Sequence, residues 1–300
     1  MLAFRTCDVF THERYSGNPL AVVYGADGLA DGAMQRIARE FNLSETIFVL
    51  TPDDPAHTAK VRIFTPAHEL PFAGHPTIGC AILLAEDASA DGDFERVITL
   101  EERAGLVSVT VHRAGGRVAG TLTAPIVPFM VAQPLPETEA AAALGLEAGE
   151  IGMTGHCPGV AEAGPRILFV PVNSLDALAR ATPNIQALAA LETVCGSGEV
   201  YVYTTGQNGA DYQARLFAPA LGIPEDPATG AATVCLAAHL DSCGLLSDGT
   251  TDLTVHQGIE MGRPSRLSLG IDRADGALTA VRVGGSAIRV SEGTLTPPGP

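Results

Sequence analysis

The sequence predicts an α/β (α+β) protein of two pseudo-symmetric domains, each a curved mixed sheet around one central apolar helix. Three observations predict it. A ten-residue segment recurs about half a chain away, each copy runs into a helix with no polar face, and alternating β-branched segments surround both. The segment is Arg62-Ile-Phe-Thr-Pro-Ala-His-Glu-Leu-Pro71. It returns 153 residues later as Arg215-Leu-Phe-Ala-Pro-Ala-Leu-Gly-Ile-Pro224, with five of its ten positions identical.

Taken along the chain, Asp31–Phe41 carries a helical apolar stripe and leads into a strand at Thr46–Leu50. The first repeat copy then enters a Gly/Pro/Thr turn and the apolar helix ending at Ala85. Strands follow at Val107–His112 and Val118–Leu122. The proline-containing stretch Ala124–Pro136 is the expected boundary, giving domains 1–124 and 125–287, with a last strand near 288–300 returning to the first. The second half offers short helices at Ser174–Arg180 and Ile185–Leu191 and a strand at Val200–Thr204. The second repeat copy follows, with its helix within Ala228–Leu240. Strands at Leu253–His256, Arg266–Ile271 and Leu278–Val283 complete it. A helix without a polar face must be buried, so each is expected at the centre of its domain, with a cleft between the halves.

Composition narrows the function. With 46% apolar and 17% charged residues the chain can bury a substantial core. A net charge of −16 and no Lys/Arg run argue against nucleic acid as a partner. Lys60 is the only lysine, which disfavours both a Schiff-base cofactor and a phosphate-binding P-loop. No signal peptide is read at Met1–Thr11, and no apolar run is long enough for a bilayer. The six cysteines form no C-x-x-C pair and the histidines are scattered, so neither disulfides nor a metal are expected. Gly196-Ser-Gly198 lacks the third glycine of a dinucleotide fingerprint, and neither G-x-S-x-G nor H-E-x-x-H occurs. The expectation is a cytoplasmic protein without membrane partners or cofactor.

The two helix-start turns draw the eye as sites. Glycine admits close approach of a ligand, and unpaired N–H groups at a helix start favour a carboxylate. Gly74 and His75 open the first turn; Thr229, Gly230 and Ala231 open the second. Near them lie three ionisable residues: Glu45 at a helix–strand junction, His75 itself, and Asp226 just ahead of the second turn. Such groups carry protons in acid/base catalysis. Taken singly, each also has an ordinary role: a strand-end acid, a turn histidine, an acid complementing a helix dipole. Glu199, 154 residues after Glu45, is a candidate second base or an exposed strand-start acid.

Five stretches running in order over almost the whole chain carry a resemblance. They are Tyr15-Ser-Gly-Asn-Pro-Leu-Ala-Val-Val23, Asn42-Leu-Ser-Glu-Thr46, Arg62 through Thr77, Glu225-Asp-Pro-Ala-Thr-Gly-Ala231 and Gln257-Gly-Ile-Glu-Met-Gly-Arg-Pro264. The chain resembles the phenazine-biosynthesis PhzF-like isomerases, within the diaminopimelate epimerase-like superfamily. The resemblance implies the two-domain fold, a homodimer and cofactor-free isomerisation. It implies Glu45 as the acid/base residue, His75 and Asp226 as its companions, and Gly74–His75 with Thr229–Ala231 as the substrate cradle. Ala231 stands where the characterised phenazine isomerase has serine. The superfamily's racemases use two cysteines, one at the head of each central-helix turn; the matching positions here are Ala73 and Pro227, neither of which forms a thiolate. The expected activity is therefore proton shift and double-bond migration on a small carboxylate. An epimerase or racemase using two acids, and a ligand-binding protein without turnover, are the alternatives.

Overall fold

The computed structural model describes residues 1–131 and 135–299. It divides into two units: Met1–Thr123 together with the segment from Gly284 onward, and Ala124–Val283. Of the stretch Ala124–Pro136, residues 132–134 lie outside the described residues.

The first unit runs β1 (Leu2–Val9), β2 (Asn18–Tyr24), α1 (Asp31–Phe41), β3 (Glu45–Leu50), β4 (Ala59–Phe64), β5 (Glu69–Leu70), α2 (Gly74–Asp87), β6 (Phe94–Glu102), β7 (Gly105–Ala114) and β8 (Arg117–Thr123). Strand pairing follows β1–β2–β3–β4–β6–β7–β8, parallel at β2–β3 and β4–β6 and antiparallel elsewhere. Parallel neighbours require a crossover, and α1 and α2 supply the two.

The second unit repeats this plan. It contains β9 (Phe129–Met130), α3 (Glu137–Leu144), β10 (Gly159–Glu162), β11 (Arg166–Pro171), α4 (Leu175–Arg180), α5 (Ile185–Cys195), β12 (Val200–Thr205), β13 (Tyr212–Ala218), β14 (Ile223–Asp226), α6 (Gly230–Ser242), β15 (Gly249–Gln257), β16 (Ser265–Ala274) and the start of β17 (Ala277–Leu295). Its pairing, β10–β11–β12–β13–β15–β16, is parallel at β11–β12 and β13–β15, the same places in the plan. Here α4 with α5, and then α6, make the crossovers.

Each unit keeps one helix inside its sheet. Every residue of α2 from Gly74 to Leu83 is buried, and the helix packs on β1, β2, β3, β6, β7 and β8. At Gly79 a Cβ would sit 2.7 Å from both Leu20 and Val9 side-chain carbons, so only glycine lets the helix approach this closely. In the second unit α6 packs on β9, β10, β11 and β16. The opposite sheet faces are covered by α1, over Val23, Phe48 and Phe64, and by α3 to α5, over Val170, Val202 and Phe217.

The repeated arginine now has a physical reason. Arg62 grips Glu69 on β5 with both Nε (2.7 Å) and Nη2 (2.8 Å), and lies over the Phe64 ring at 5.2 Å. Arg215 grips Glu225 on β14 in the same two-point manner, both at 2.8 Å, and lies over Phe217 at 4.7 Å. Each clamp fixes the short hairpin strand that leads into a central helix, so it aims the helix start.

Two features add to the expected elements. Leu278–Val283 and the strand near 288–300 are one strand of 19 residues, β17. Gly284 and Gly285, within it, are not among the positive-φ glycines, so the strand runs through them. The boundary stretch also carries a short strand: Phe129 and Met130 pair with Glu162 and Ala161.

Candidate active site

The α1 helix ends on Asn42, left-handed at φ 51°, whose N–H closes on the Ala38 carbonyl. Asparagine tolerates this conformation well. The turn delivers Glu45 as the first residue of β3, paired beside Leu20 of β2 and only 9% exposed. His75, the second residue of α2, sits over it with Nδ1 3.3 Å from Glu45 Oε2. Burial drives the His75 imidazolium down to about 3, against a hydrogen bond to the Pro19 backbone. Proline has only a carbonyl to offer, so the imidazole is the donor. The Nε2 atom is buried without a hydrogen-bond partner among the described residues, which leaves Nδ1 as the nitrogen that donates to the Pro19 carbonyl. Ala73, the N-cap of α2, is extended and offers no side-chain cap. The Gly74 and His75 N–H groups therefore remain the positive end of the helix.

The second unit builds its counterpart differently. Thr46 pairs with Phe64 and Val200 with Phe217, and the repeat matches Phe64 to Phe217, so Glu45 and Glu199 hold the same place. The Glu199 backbone is tied by its carbonyl to Leu168 N–H (3.0 Å) and by its N–H to Ser197 Oγ (3.2 Å). Burial, followed by the charge of Asp226, pushes its carboxyl up to about 7. Asp226 ends β14, is 8% exposed, and accepts the Thr229 hydroxyl at 2.5 Å. Gln257, fully buried, braces both: its Nε2 donates to the Asp226 carbonyl (2.8 Å) and to Thr229 Oγ1 (3.0 Å), and its Oε1 accepts the Thr229 N–H (3.2 Å). Gly258 follows at φ 75°, and a Cβ there would lie 2.5 Å from the Arg263 carbonyl oxygen and 2.6 Å from that of Pro227. The bracing loop thus needs glycine twice over.

Thr229, Gly230 and Ala231 do begin α6, but in unequal roles. Thr229 is the N-cap, and both its donors are engaged inside the unit. Gly230 and Ala231 follow as the first two helical residues, so Ala231 occupies the position of His75. Pro227, at the head of the second turn, lies two residues before the N-cap Thr229, whereas Ala73 is itself the N-cap of α2. Two residues separate Pro71 from Gly74, whereas five separate Pro224 from Gly230, so the repeat offset changes inside the turn. Neither N-cap, Ala73 or Thr229, is a cysteine. Cys80 and Cys235 are buried in the helices, and burial raises both thiols, Cys235 to about 12.

Two residues at these helix starts escaped sequence reasoning. Gln257 opens the stretch Gln257–Pro264, where residue type alone signals no brace. Glu102, the last residue of β6, reads as one of a run of surface acids. It is buried at 8% exposure, with Thr77 Oγ1 2.6 Å from its Oε1. Among the described residues no group of three His, Cys, Asp or Glu is arranged for a metal, and no helix is long and apolar enough to cross a membrane.

Comparison with known proteins agrees with this architecture. The family model described as phenazine biosynthesis-like protein matches residues 7–293. An uncharacterised isomerase of Mesorhizobium japonicum is 41% identical, covering 96% of either chain. The trans-2,3-dihydro-3-hydroxyanthranilate isomerase of Pseudomonas aeruginosa is 37% identical over 95% of this chain and 96% of its own. Among solved structures, a PhzF-family phenazine biosynthesis protein of Bacillus anthracis superposes with a TM-score of 0.87 at 25% identity, covering 98% of this chain and 99% of that one. A probable proline racemase of Agrobacterium radiobacter, at 14% identity, shares the fold with a TM-score of 0.68 over 99% and 93% of the two chains. The diaminopimelate epimerase-like fold is therefore common to both chemistries. The chain belongs to the phenazine biosynthesis-like family and is a PhzF-like isomerase.

Proposed function

We propose that the enzyme moves a proton, and with it a double bond, within a small carboxylate-bearing substrate, using Glu45 as the proton carrier. The observation that carries this reading is the neutral His75 held 3.3 Å from a nearly buried Glu45. A neutral imidazole does not lock the carboxylate in an ion pair, so Glu45 keeps its capacity to take and return a proton. His75 positions the substrate beside Glu45. The N–H groups of Gly74 and His75, and of Gly230 and Ala231, bind carboxylate oxygens at positive helix ends. Asp226, fixed by Thr229, assists the transfer.

The first compound to test is trans-2,3-dihydro-3-hydroxyanthranilate, for which the Pseudomonas aeruginosa relative is named. Turnover in deuterated water, followed by mass spectrometry and NMR, is expected to place one deuterium with a single stereochemical outcome. Glu45→Gln is expected to stop incorporation while ligand affinity stays within about tenfold, because the amide keeps the shape but not the basicity. Near-normal turnover in that variant would remove Glu45 from the mechanism. Incorporation on both faces would mark an epimerase instead.

A further inference from the structure

The strand register of the two units places Glu102 opposite an informative counterpart. Ala59 pairs with Leu100 in the first unit and Tyr212 with Val255 in the second, while Lys60 pairs with Glu101 and Gln213 with His256. Continuing one residue along β6 and β15, Glu102 falls where the second unit has Gln257. Gln257 is a neutral amide whose N–H groups brace the start of α6.

Hydrogen counting at Glu102 points the same way. The Thr77 hydroxyl lies 2.7 Å from the Ala73 carbonyl oxygen and 2.6 Å from Glu102 Oε1. That hydroxyl has one hydrogen, and the Ala73 carbonyl can only accept. If Glu102 were a carboxylate, two acceptors would compete for the one hydrogen, and one short contact would be repulsive. If Glu102 carries a proton, its O–H donates to Thr77 Oγ1 and Thr77 donates to Ala73, so both contacts are satisfied. No cation lies within 4 Å of Glu102 among the described residues, and its Oε2 is buried without a partner. Its charged neighbours on β6 and beyond turn elsewhere. Glu101 takes His57 and the Asp53 and Asp54 N–H groups, and Arg103 takes Glu69. The titratable group facing it from α2 is the buried thiol of Cys80.

We propose that Glu102 is a positioning residue that works as a neutral acid, donating through Thr77 to the Ala73 carbonyl and so fixing the helix start from which Gly74 and His75 project. It is the first unit's equivalent of the Gln257 brace. Burial is in keeping with this state, raising the Glu102 carboxyl to about 7. Its effect on turnover rests on the assignment of His75 and Glu45 above; its protonation does not.

The test therefore has two parts. Carbon-13 NMR titration of the side-chain carboxyls, with Glu102→Gln identifying the resonance, is expected to find Glu102 protonated below neutral pH and ionising near 7. A carboxylate already ionised at pH 5.5 would overturn the proposal whatever the enzyme's substrate. In the deuterium-incorporation assay, Glu102→Gln is expected to keep kcat within about threefold and to lose any alkaline fall associated with this group. Glu102→Ala, which removes the donor, is expected to lower kcat by roughly 10-fold to 100-fold through misplacement of His75. Equal loss in both variants, with both folded by circular dichroism, would also overturn it.

Discussion

The two central helices begin in equivalent places and are furnished differently. In the first unit the glutamate at the strand start meets a histidine at the second position of the helix; in the second unit that helix position is Ala231, and the glutamate meets Asp226 instead. The consequence is electrostatic. Glu45 has a neutral imidazole for a neighbour, whereas Glu199 has a carboxylate, whose charge adds to burial in raising it to about 7. The same scaffolding thus holds its two glutamates in different electrostatic settings, with a different residue at one helix position and a longer second turn. The clamps and braces that aim the helices remain common to both: Arg62 and Arg215 in one layer, Glu102 and Gln257 in the other.

The largest stability difference is expected at the clamps. Arg215 is the more enclosed, and besides Glu225 its Nη1 binds the carbonyls of Leu178, Ala179 and Ala181 at the end of α4. Arg215→Met strands Glu225 and these carbonyls, a loss of about 3–5 kcal/mol by the usual measure for a broken buried pair. Arg62→Met, at a more exposed clamp, is expected to lose about half of that, roughly 2 kcal/mol. Urea unfolding of the two variants checks the order; equal losses would show that the clamps are not distinguished by burial.

A second contrast lies deeper in the helices, where Leu83 of α2 corresponds to His239 of α6. His239 is 1% exposed, stacks on Phe169 at 5.1 Å, and has no hydrogen-bond partner for either nitrogen among the described residues. Burial, with His156 adding to it, lowers its imidazolium to about 4. The unfolded chain takes up that proton near pH 6.5, so the stability held above 6.5 is lost as pH falls toward 4. At pH 5 the loss from this group is about 2 kcal/mol. Glu102 and Glu199, raised to about 7, have the opposite slope: their stabilisation is full below about 4.3 and is lost as pH rises through 7. The wild-type profile mixes these, but its difference from His239→Leu isolates the histidine. Denaturation at pH 7.5 and pH 5 is expected to show the variant gaining about 2 kcal/mol on the wild type at the lower pH. A pH-independent difference would mean His239 protonates freely in the fold.

The smallest effect is expected at Ala231. A hydroxyl here, at the second residue of α6, adds one hydrogen bond to a bound carboxylate, worth roughly 1.5 kcal/mol when aligned. Ala231→Ser is therefore expected to tighten a small carboxylate about tenfold in titration calorimetry. Unchanged affinity would show that the position does not face the ligand.

Much of this was legible in the sequence because the repeat exposes it. Arg62 and Arg215 are visible as identities, and the helix starts follow from the glycines and the apolar runs beyond them. The Asp31–Phe41 helix coincides with its predicted bounds, since its stripe and the αL Asn42 are local signals. The alanine-rich α3, with Ala140, Ala141 and Ala143 buried, has too weak a stripe to announce itself. The unequal length of the two turns is not legible, because a constant repeat offset cannot follow it. Glu102 was invisible for a different reason: next to Glu101, it looks like a surface acid, and only strand register shows that its neighbour turns to His57 and the Asp53 and Asp54 N–H groups while it turns inward to Thr77.

The central claim is that the half carrying Glu45 and His75 holds the transferable proton. The direct measurement is solvent-deuterium incorporation under single-turnover conditions in Glu45→Gln and Glu199→Gln, compared with the wild type. The account predicts a loss of about 10²–10⁴-fold for Glu45→Gln and a change of less than about tenfold for Glu199→Gln. Incorporation that survives in Glu45→Gln and disappears in Glu199→Gln would contradict it.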